Sequence, residues 1–179
     1  VAIIGAGGPV SLLHLQLAQR SGAGQVIAVG HSPARLKVAA ELGAAHTLNA
    51  KEADTVDFIR GLTGGYGADV VIECAGTKTA WETAVGAVRK GGRVLWFGGL
   101  PGGTKVEIDA ARVHYGEIDL LNMHGGTAAE AREAFDLIAS GGVKTAPLLN
   151  GELPLEQVEL ALKRMIAGEA VKVVINPEL

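Results

Sequence analysis

The residues best placed to do chemistry come first: VAIIGAGGPVSLLHLQLA, residues 1–18. Four apolar residues, Val1 to Ile4, run into Gly5, Gly7 and Gly8; Pro9 follows, then an apolar run of helical character through Ala18. Strand, glycine turn and helix in that order aim a helix N-terminus at whatever sits above the turn. Its unpaired backbone N–H groups and the positive end of its dipole make that a phosphate site. Glycine suits the turn because a side chain would hold a phosphate away from the backbone. The regular spacing G-x-G-x-x-G would put its third glycine at Val10. The frame Gly5-x-x-Gly8-x-x-Ser11 is preferred, since it places a small serine where the helix must pack closely on the strand. Taken alone, the motif also fits a plain glycine-rich turn, and its context has to decide.

Other reactive side chains are sparse and scattered. Cys74 is the only cysteine, which excludes an internal disulfide and a cysteine-rich zinc site and fits a reducing cytoplasm. No histidine neighbours it in sequence, so it reads as a small buried residue and not as a nucleophile. His14 lies among leucines and reads as a core-edge or domain-contact residue, and His46 as structural. His114 and His124 are too isolated to build a metal site with chain neighbours. Asp69 and Glu73 flank an apolar strand and are expected to pair structurally. Net charge is −3 with no basic stretch, which argues against nucleic acid as a partner. No apolar run reaches membrane-spanning length, and no charged-then-apolar leader is present. The chain begins inside a strand, as a piece of a longer protein would.

The elements that must position these residues follow in order. Ser21–Gly24 stops the first helix, and Gln25 to Val29 is a second strand. Ser32-Pro33 starts a helix carrying Leu36, Ala39 and Ala40. His46 to Asn49 is a short strand, Asp54 to Thr63 a helix, and Asp69 to Cys74 a strand of the doubly buried kind. Thr77 to Arg89 is a helix ended by Gly91-Gly92, and Arg93 to Phe97 a strand running into Gly98-Gly99-Leu100. Then come a helix over Asp109 to Tyr115, a strand over Ile118 to Met123, and a helix from Thr127 to Ser140 with Glu130 at capping-box spacing. Pro147 to Leu149 is extended, Pro154 to Ala167 is a helix with Val158, Ala161, Leu162 and Met165 inward, and Val171 to Ile175 is a last strand. Strand and helix in alternation imply an α/β fold, a parallel sheet covered on both faces by right-handed crossovers. Ligands then bind beyond the C-terminal strand ends, where the turns Gly5–Ser11, Gly30–Ser32, Cys74–Thr77 and Gly98–Leu100 gather. That is the context the glycine turn needs.

The whole chain resembles the cofactor-binding portion and C-terminus of the medium-chain dehydrogenase/reductase family, in particular its zinc-type alcohol, polyol and threonine dehydrogenases. The match is carried by VAIIGAGGPVSLLHLQLA, GADVVIECAG, VRKGGRVLWFGGLPGG, the HGGT of residues 124–127, and GEAVKVVINPEL. The resemblance implies one Rossmann dinucleotide-binding domain over residues 1–179, with a C-terminal segment that returns to a catalytic domain. That catalytic domain, with its zinc ligands and proton relay, has no counterpart in this sequence. The implied activity is hydride transfer between NAD(P) and an alcohol or carbonyl. Gly8, Pro9 and Val10 would lie along the pyrophosphate, and Lys172 would reach back to it. Cys74, Ala75 and Gly76 would border the adenosine side and nicotinamide ribose. Gly98, Gly99 and Leu100 would offer backbone to the nicotinamide ribose and carboxamide, with Asn122, Met123 and His124 near the nicotinamide. A homodimer paired through the edge strand at Gly116–Asn122 is also implied.

Cofactor choice is read from the end of the second strand. A carboxylate that would bind a ribose 2′-OH is replaced there by Gly30, with His31, Ser32 and Arg35 following. Ser32 can donate and Arg35 can pair with a phosphate, so NADP is expected over the alternative, NAD. No catalytic or metal-ligating residue is assigned within the chain. The expected whole is an alcohol or polyol dehydrogenase; a zinc-free quinone or enoyl reductase, suggested by the Gly5-x-x-Gly8 frame, and a non-catalytic dinucleotide sensor are the alternatives.

Overall fold

Strands that are apolar at every position must be covered on both faces, and the chain supplies helices to do it. The computed structural model describes residues 1–179. It runs β1 (Ala2–Ile4), α1 (Pro9–Arg20), β2 (Ile27–Gly30), α2 (Pro33–Glu41), β3 (His46–Asn49), α3 (Thr55–Leu62), β4 (Ala68–Glu73), α4 (Lys78–Ala87), β5 (Val88–Trp96), α5 (Ala110–Tyr115) and β6 (Asp119–Asn122). Then follow α6 (Ala128–Ala139), β7 (Leu149–Leu153), α7 (Val158–Ile166) and β8 (Lys172–Ile175), with 3-10 turns at Ala146–Leu148 and Leu155–Gln157. The first six strands form one parallel sheet in the order β3-β2-β1-β4-β5-β6, the doubly wound Rossmann arrangement. Strand order reverses between β1 and β4, so the switch point lies above those two strands.

Alternation along the strands sorts the core into two layers. Ala2, Ile4, Ile27, Val29 and Val71 face α3 and α4, where they meet Ile59, Ala84 and Val85. Ile3, Ala28 and Ile72 face the other way, onto Leu12 and Leu15 of α1 and Leu36 and Ala39 of α2. A large aliphatic side chain buried this way contributes about 1.5–3 kcal/mol.

Side-chain caps start the helices where the sequence placed them. Ser32, Asp54 and Thr77 each accept a backbone N–H from the first turn of α2, α3 and α4. Thr127 and Glu130 form the full capping box of α6.

Three expected boundaries differ. Gly91-Gly92 does not end α4, which passes into β5 at Val88; buried Val88 pairs with Ala68, and the register then jumps to Val70 opposite Arg93. The two glycines therefore sit inside an irregular strand, where Gly91 donates its N–H to the Gly116 carbonyl at 2.7 Å. Ala146–Leu148 is a 3-10 turn and not extended. In α7 only Ala161 is buried; Val158 is 44% and Leu162 53% exposed, because the helix covers a sheet of just two strands, β7 and β8.

Three polar side chains tie distant segments to this frame. The Gln16 amide donates to the Lys144 carbonyl at 3.1 Å and accepts the Lys144 N–H at 2.6 Å. Arg35 Nη2 donates to the carbonyls of Met165 and Ala170, both at 2.6 Å. Arg112 of α5 donates to the carbonyls of Val85, Gly86 and Val88 at 2.8–2.9 Å, satisfying the end of α4.

At the end of β4, fully buried Glu73 holds two turns together. Its carboxylate oxygen Oε1 accepts the N–H groups of Ala75 at 2.6 Å and Gly76 at 2.8 Å. Its backbone carbonyl accepts Phe97 and Gly98, both at 3.0 Å, while Oε2 is buried without a partner. Burial raises the carboxyl above its ordinary range, and the Ala75 and Gly76 N–H groups only partly offset this. The folded chain therefore holds this proton more tightly than the unfolded one, so stability is lost as pH rises from about 4.5 through the raised value. Glu73→Gln keeps an acceptor and cannot titrate. Urea denaturation midpoints across pH should show a gap between parent and variant that is constant below pH 4.5 and opens above it; parallel profiles would contradict this account.

Candidate functional site

The strand ends at the switch point leave a cleft of about 670 Å³. Gly5, Gly7 and Gly8 form its floor, Gly30, His31, Ser32 and Arg35 one wall, and Cys74 and Ala75 the other. Helix α1 opens onto it with Gly8 as N-cap and no side-chain hydrogen bond capping it, and Pro9 brings no N–H of its own. Ser11 is buried; its hydroxyl donates to the Gly8 carbonyl at 2.8 Å and accepts the Gly7 N–H at 3.0 Å. The serine of the preferred frame thus both fits the close packing and fastens the turn. Gly5 has φ +83°, and a Cβ there would lie 2.6 Å from the Ala75 nitrogen. Only glycine lets the β1 and β4 turns approach this closely.

The rim beside β2 differs from expectation in two ways. A side chain at Gly30 would run into the Ala6 carbonyl. Lack of space, then, excludes a carboxylate there, whatever the charge of the ligand. Arg35 borders the cleft, but Nη2 is already committed to Met165 and Ala170, and Nε is buried without a partner. Ser32 accepts the Arg35 N–H as the helix cap.

Sequence reasoning placed the turn ending at Thr77 at this edge but passed over the rest of the opposite rim: Ala53, Asp54 and Thr55 from the β3–α3 turn, and Thr79 and Thr83 from α4. Asp54 and Thr77 carried a signal, since each is a helix cap, and caps in this fold stand at the ligand edge.

Four expected residues are not among those lining this cleft. Pro9 and Val10 belong to the first turn of α1 but do not line the cleft. Lys172 is exposed on β8, a strand outside the main sheet, and is not among the residues lining the cleft. Gly76 sits between this cleft and a second one, its Cβ position 2.8 Å from the Gly99 carbonyl.

The second cleft, about 390 Å³, is lined by Gly98, Gly99 and Leu100 from the β5 turn and by Asn122, Met123 and His124 from the end of β6, with Trp81 and Trp96 at its back. The six expected nicotinamide-side residues are thus brought together, apart from the first cleft.

Burial shifts two titratable groups beside these clefts. Burial and the neighbouring Glu73 charge push the Cys74 thiol up to about 12, so it stays protonated and is no nucleophile at neutral pH. Burial lowers His14, whose ring stands edge-on to Phe97 at 4.8 Å. No cluster of three or more His, Cys, Asp or Glu side chains could hold a metal ion. An uncapped helix N-terminus beside two adjoining pockets suits an extended, phosphate-bearing ligand.

Known proteins share this framework. The chain is 33% identical over 179 residues to sorbitol dehydrogenase of Bacillus subtilis strain 168, covering 99% of this chain and 50% of that protein. It is 33% identical over 175 residues to L-threonine 3-dehydrogenase of Symbiobacterium thermophilum, covering 96% of this chain and 49% of that one. It therefore spans about half the length of these relatives. Among solved structures, a zinc-binding dehydrogenase from Sinorhizobium meliloti 1021 bound to NADP matches with TM-score 0.91 and 32% identity, over 98% of this chain and 52% of that one. Benzyl alcohol dehydrogenase from Acinetobacter calcoaceticus matches with TM-score 0.90 and 26% identity, over 97% and 48%. The family model described as zinc-binding dehydrogenase matches residues 9–140, from the first residue of α1 to the C-cap of α6, and with that span on this sheet order the chain belongs to the zinc-binding dehydrogenase family.

Proposed function

We propose that residues 1–179 form the dinucleotide-binding domain of an oxidoreductase that transfers hydride between NAD(P) and an alcohol, polyol or corresponding carbonyl. The observation that carries this is the uncapped N-terminus of α1 behind Gly5, Gly7 and Gly8, opening into the cleft at the switch point. The residues present fit a dinucleotide. The backbone at Gly8 and the first turn of α1 would take the pyrophosphate, and the wall at Ser32 and the rim at Asp54 an adenosine. Gly98 to Leu100, with Asn122 to His124, would enclose the nicotinamide. Bound there, a nicotinamide supplies the hydride chemistry; the chain binds it, orients it and shields it from water. Zinc, where the family uses it, has no ligand set among these residues and in this reading belongs to a catalytic domain outside them, toward which β7, α7 and β8 return. A reduced, unpaired Cys74 fits a cytoplasmic setting, and no helix is long and apolar enough to cross a membrane.

NADP is favoured over NAD. No carboxylate stands beside Ser32 on the β2 wall, and Arg35 contributes charge from there with Nη1 and Nε unbonded. The similar Sinorhizobium protein was solved with NADP. A homodimer is the second part of the reading: β6 is the outer strand of the sheet, unpaired on one side, with Leu121 46% exposed.

Calorimetry on the purified chain should show binding of NADPH and NADH, with no turnover of any alcohol in a panel assay; robust turnover would contradict the absence of a catalytic constellation. NADPH should bind the more tightly, with a preference that shrinks as salt rises. Ser32→Asp preserves the cap of α2 and adds a negative charge, so it should lower the NADPH:NADH preference about tenfold, roughly 1.4 kcal/mol. An unchanged ratio would remove the β2 wall from the discrimination. Sedimentation should give twice the chain mass, and Leu121→Lys should give the monomer.

A further inference from the structure

Resting on the dinucleotide reading, we propose that Trp81 is a positioning residue for the nicotinamide end of the cofactor, acting through the peptide between Gly98 and Gly99. Trp81 stands on α4 and touches the turn from behind. Its indole Nε1 donates to the Gly98 carbonyl at 2.8 Å. A trans peptide is planar, with its carbonyl and the following N–H pointing in opposite directions. A Gly98 carbonyl drawn back onto Trp81 therefore turns the Gly99 N–H forward. Nothing lies within 4 Å of a Cβ built on Gly99, and its N–H has no partner in the chain. It is a donor held out toward open space, at the cleft where Asn122, Met123 and His124 converge.

The turn's hydrogen bonds to Glu73 fall on earlier peptides. Glu73 fixes the peptides one and two residues earlier, through the N–H groups of Phe97 and Gly98. Gly98 packs too tightly on Gly76 to carry a side chain. Of the side-chain hydrogen bonds to this turn, that of Trp81 is the one that falls beyond the Gly98 Cα.

Trp81 is itself braced. Its ring stacks on Trp96 with centroids 4.3 Å apart and planes 8° from parallel. Trp96 Nε1 donates to the Trp81 carbonyl at 3.3 Å. Stacking locks the indole so that its single donor has one direction.

The test separates the two ends of the cofactor. NADPH spans both clefts, whereas AMP reaches only the adenosine side. Trp81→Phe keeps an aromatic ring on Trp96 and deletes the bond to Gly98. It should weaken NADPH about fivefold, within the range of one neutral hydrogen bond, and leave AMP within twofold of the parent. Should Trp81→Phe not fold, the unmodified chain gives the same answer by NMR. Its two tryptophans yield two indole N–H signals, and the Trp81 signal should move on adding NADPH and stay in place with AMP. Equal loss of NADPH and AMP in Trp81→Phe, no loss of either, or an indole signal indifferent to NADPH overturns the role of Trp81 while leaving dinucleotide binding intact. A parent chain that binds neither NADPH nor AMP overturns the dinucleotide reading, and the role of Trp81 with it.

Discussion

The ligand edge depends on one buried carboxylate. Glu73 ends the strand at the centre of the sheet, fully enclosed, where an ionised group without partners would cost several kcal/mol. The cost is offset by drawing two backbone N–H groups onto one oxygen, and those N–H groups belong to the turn that forms the cleft wall. The same residue's carbonyl draws in the next turn. The two turns then lie so close that Gly98 has no room for a Cβ against Gly76. A carboxylate that cannot leave and cannot be solvated is thus converted into fixed backbone geometry.

Much of this was legible beforehand because parallel sheets write a plain signal. Continuous apolar runs such as DVVIE leave no solvent face, and a polar cap before each helix marks the return. The pattern places the turns at Gly5–Ser11, Gly30–Ser32, Cys74–Thr77 and Gly98–Leu100 at one sheet edge, while Asn122, Met123 and His124 were expected there from the resemblance alone; the folded chain gathers them in two neighbouring clefts. What the chain hid was long-range. Nothing local in Arg35 reveals that its guanidinium is committed 130 and 135 residues away. Nothing in Gly30 distinguishes a missing charge from a missing space until Ala6 is seen beside it. The setting of Lys172 was hidden for a related reason: its strand pairs with β7, in a small sheet whose place no periodicity records. Gly91-Gly92 misled because a glycine pair is usual both after a helix and inside a bulge.

The two layers of the core also divide labour. The layer under α3 and α4 is closed by Arg112, which takes three carbonyls where α4 gives way to β5. The layer under α1 and α2 is closed by the C-terminal part of the chain, through Leu148 and Val171. The cleft sits between a face completed locally and a face completed only when the last thirty or so residues arrive.

That asymmetry has a bearing on how the chain assembles. Gln16 meets Lys144 across 128 residues, and Arg35 meets Met165 and Ala170 across 130 and 135. Closing the first such loop costs roughly 4 kcal/mol of chain entropy by the logarithmic rule, while the second, between segments already side by side, costs far less. The two clamps should therefore engage almost together and late. A ribosome-bound intermediate would hold the sheet with one layer sealed and Leu12, Leu15 and Leu36 still awaiting their cover. It is this open layer, and not the cleft, that a folding helper would have to shield.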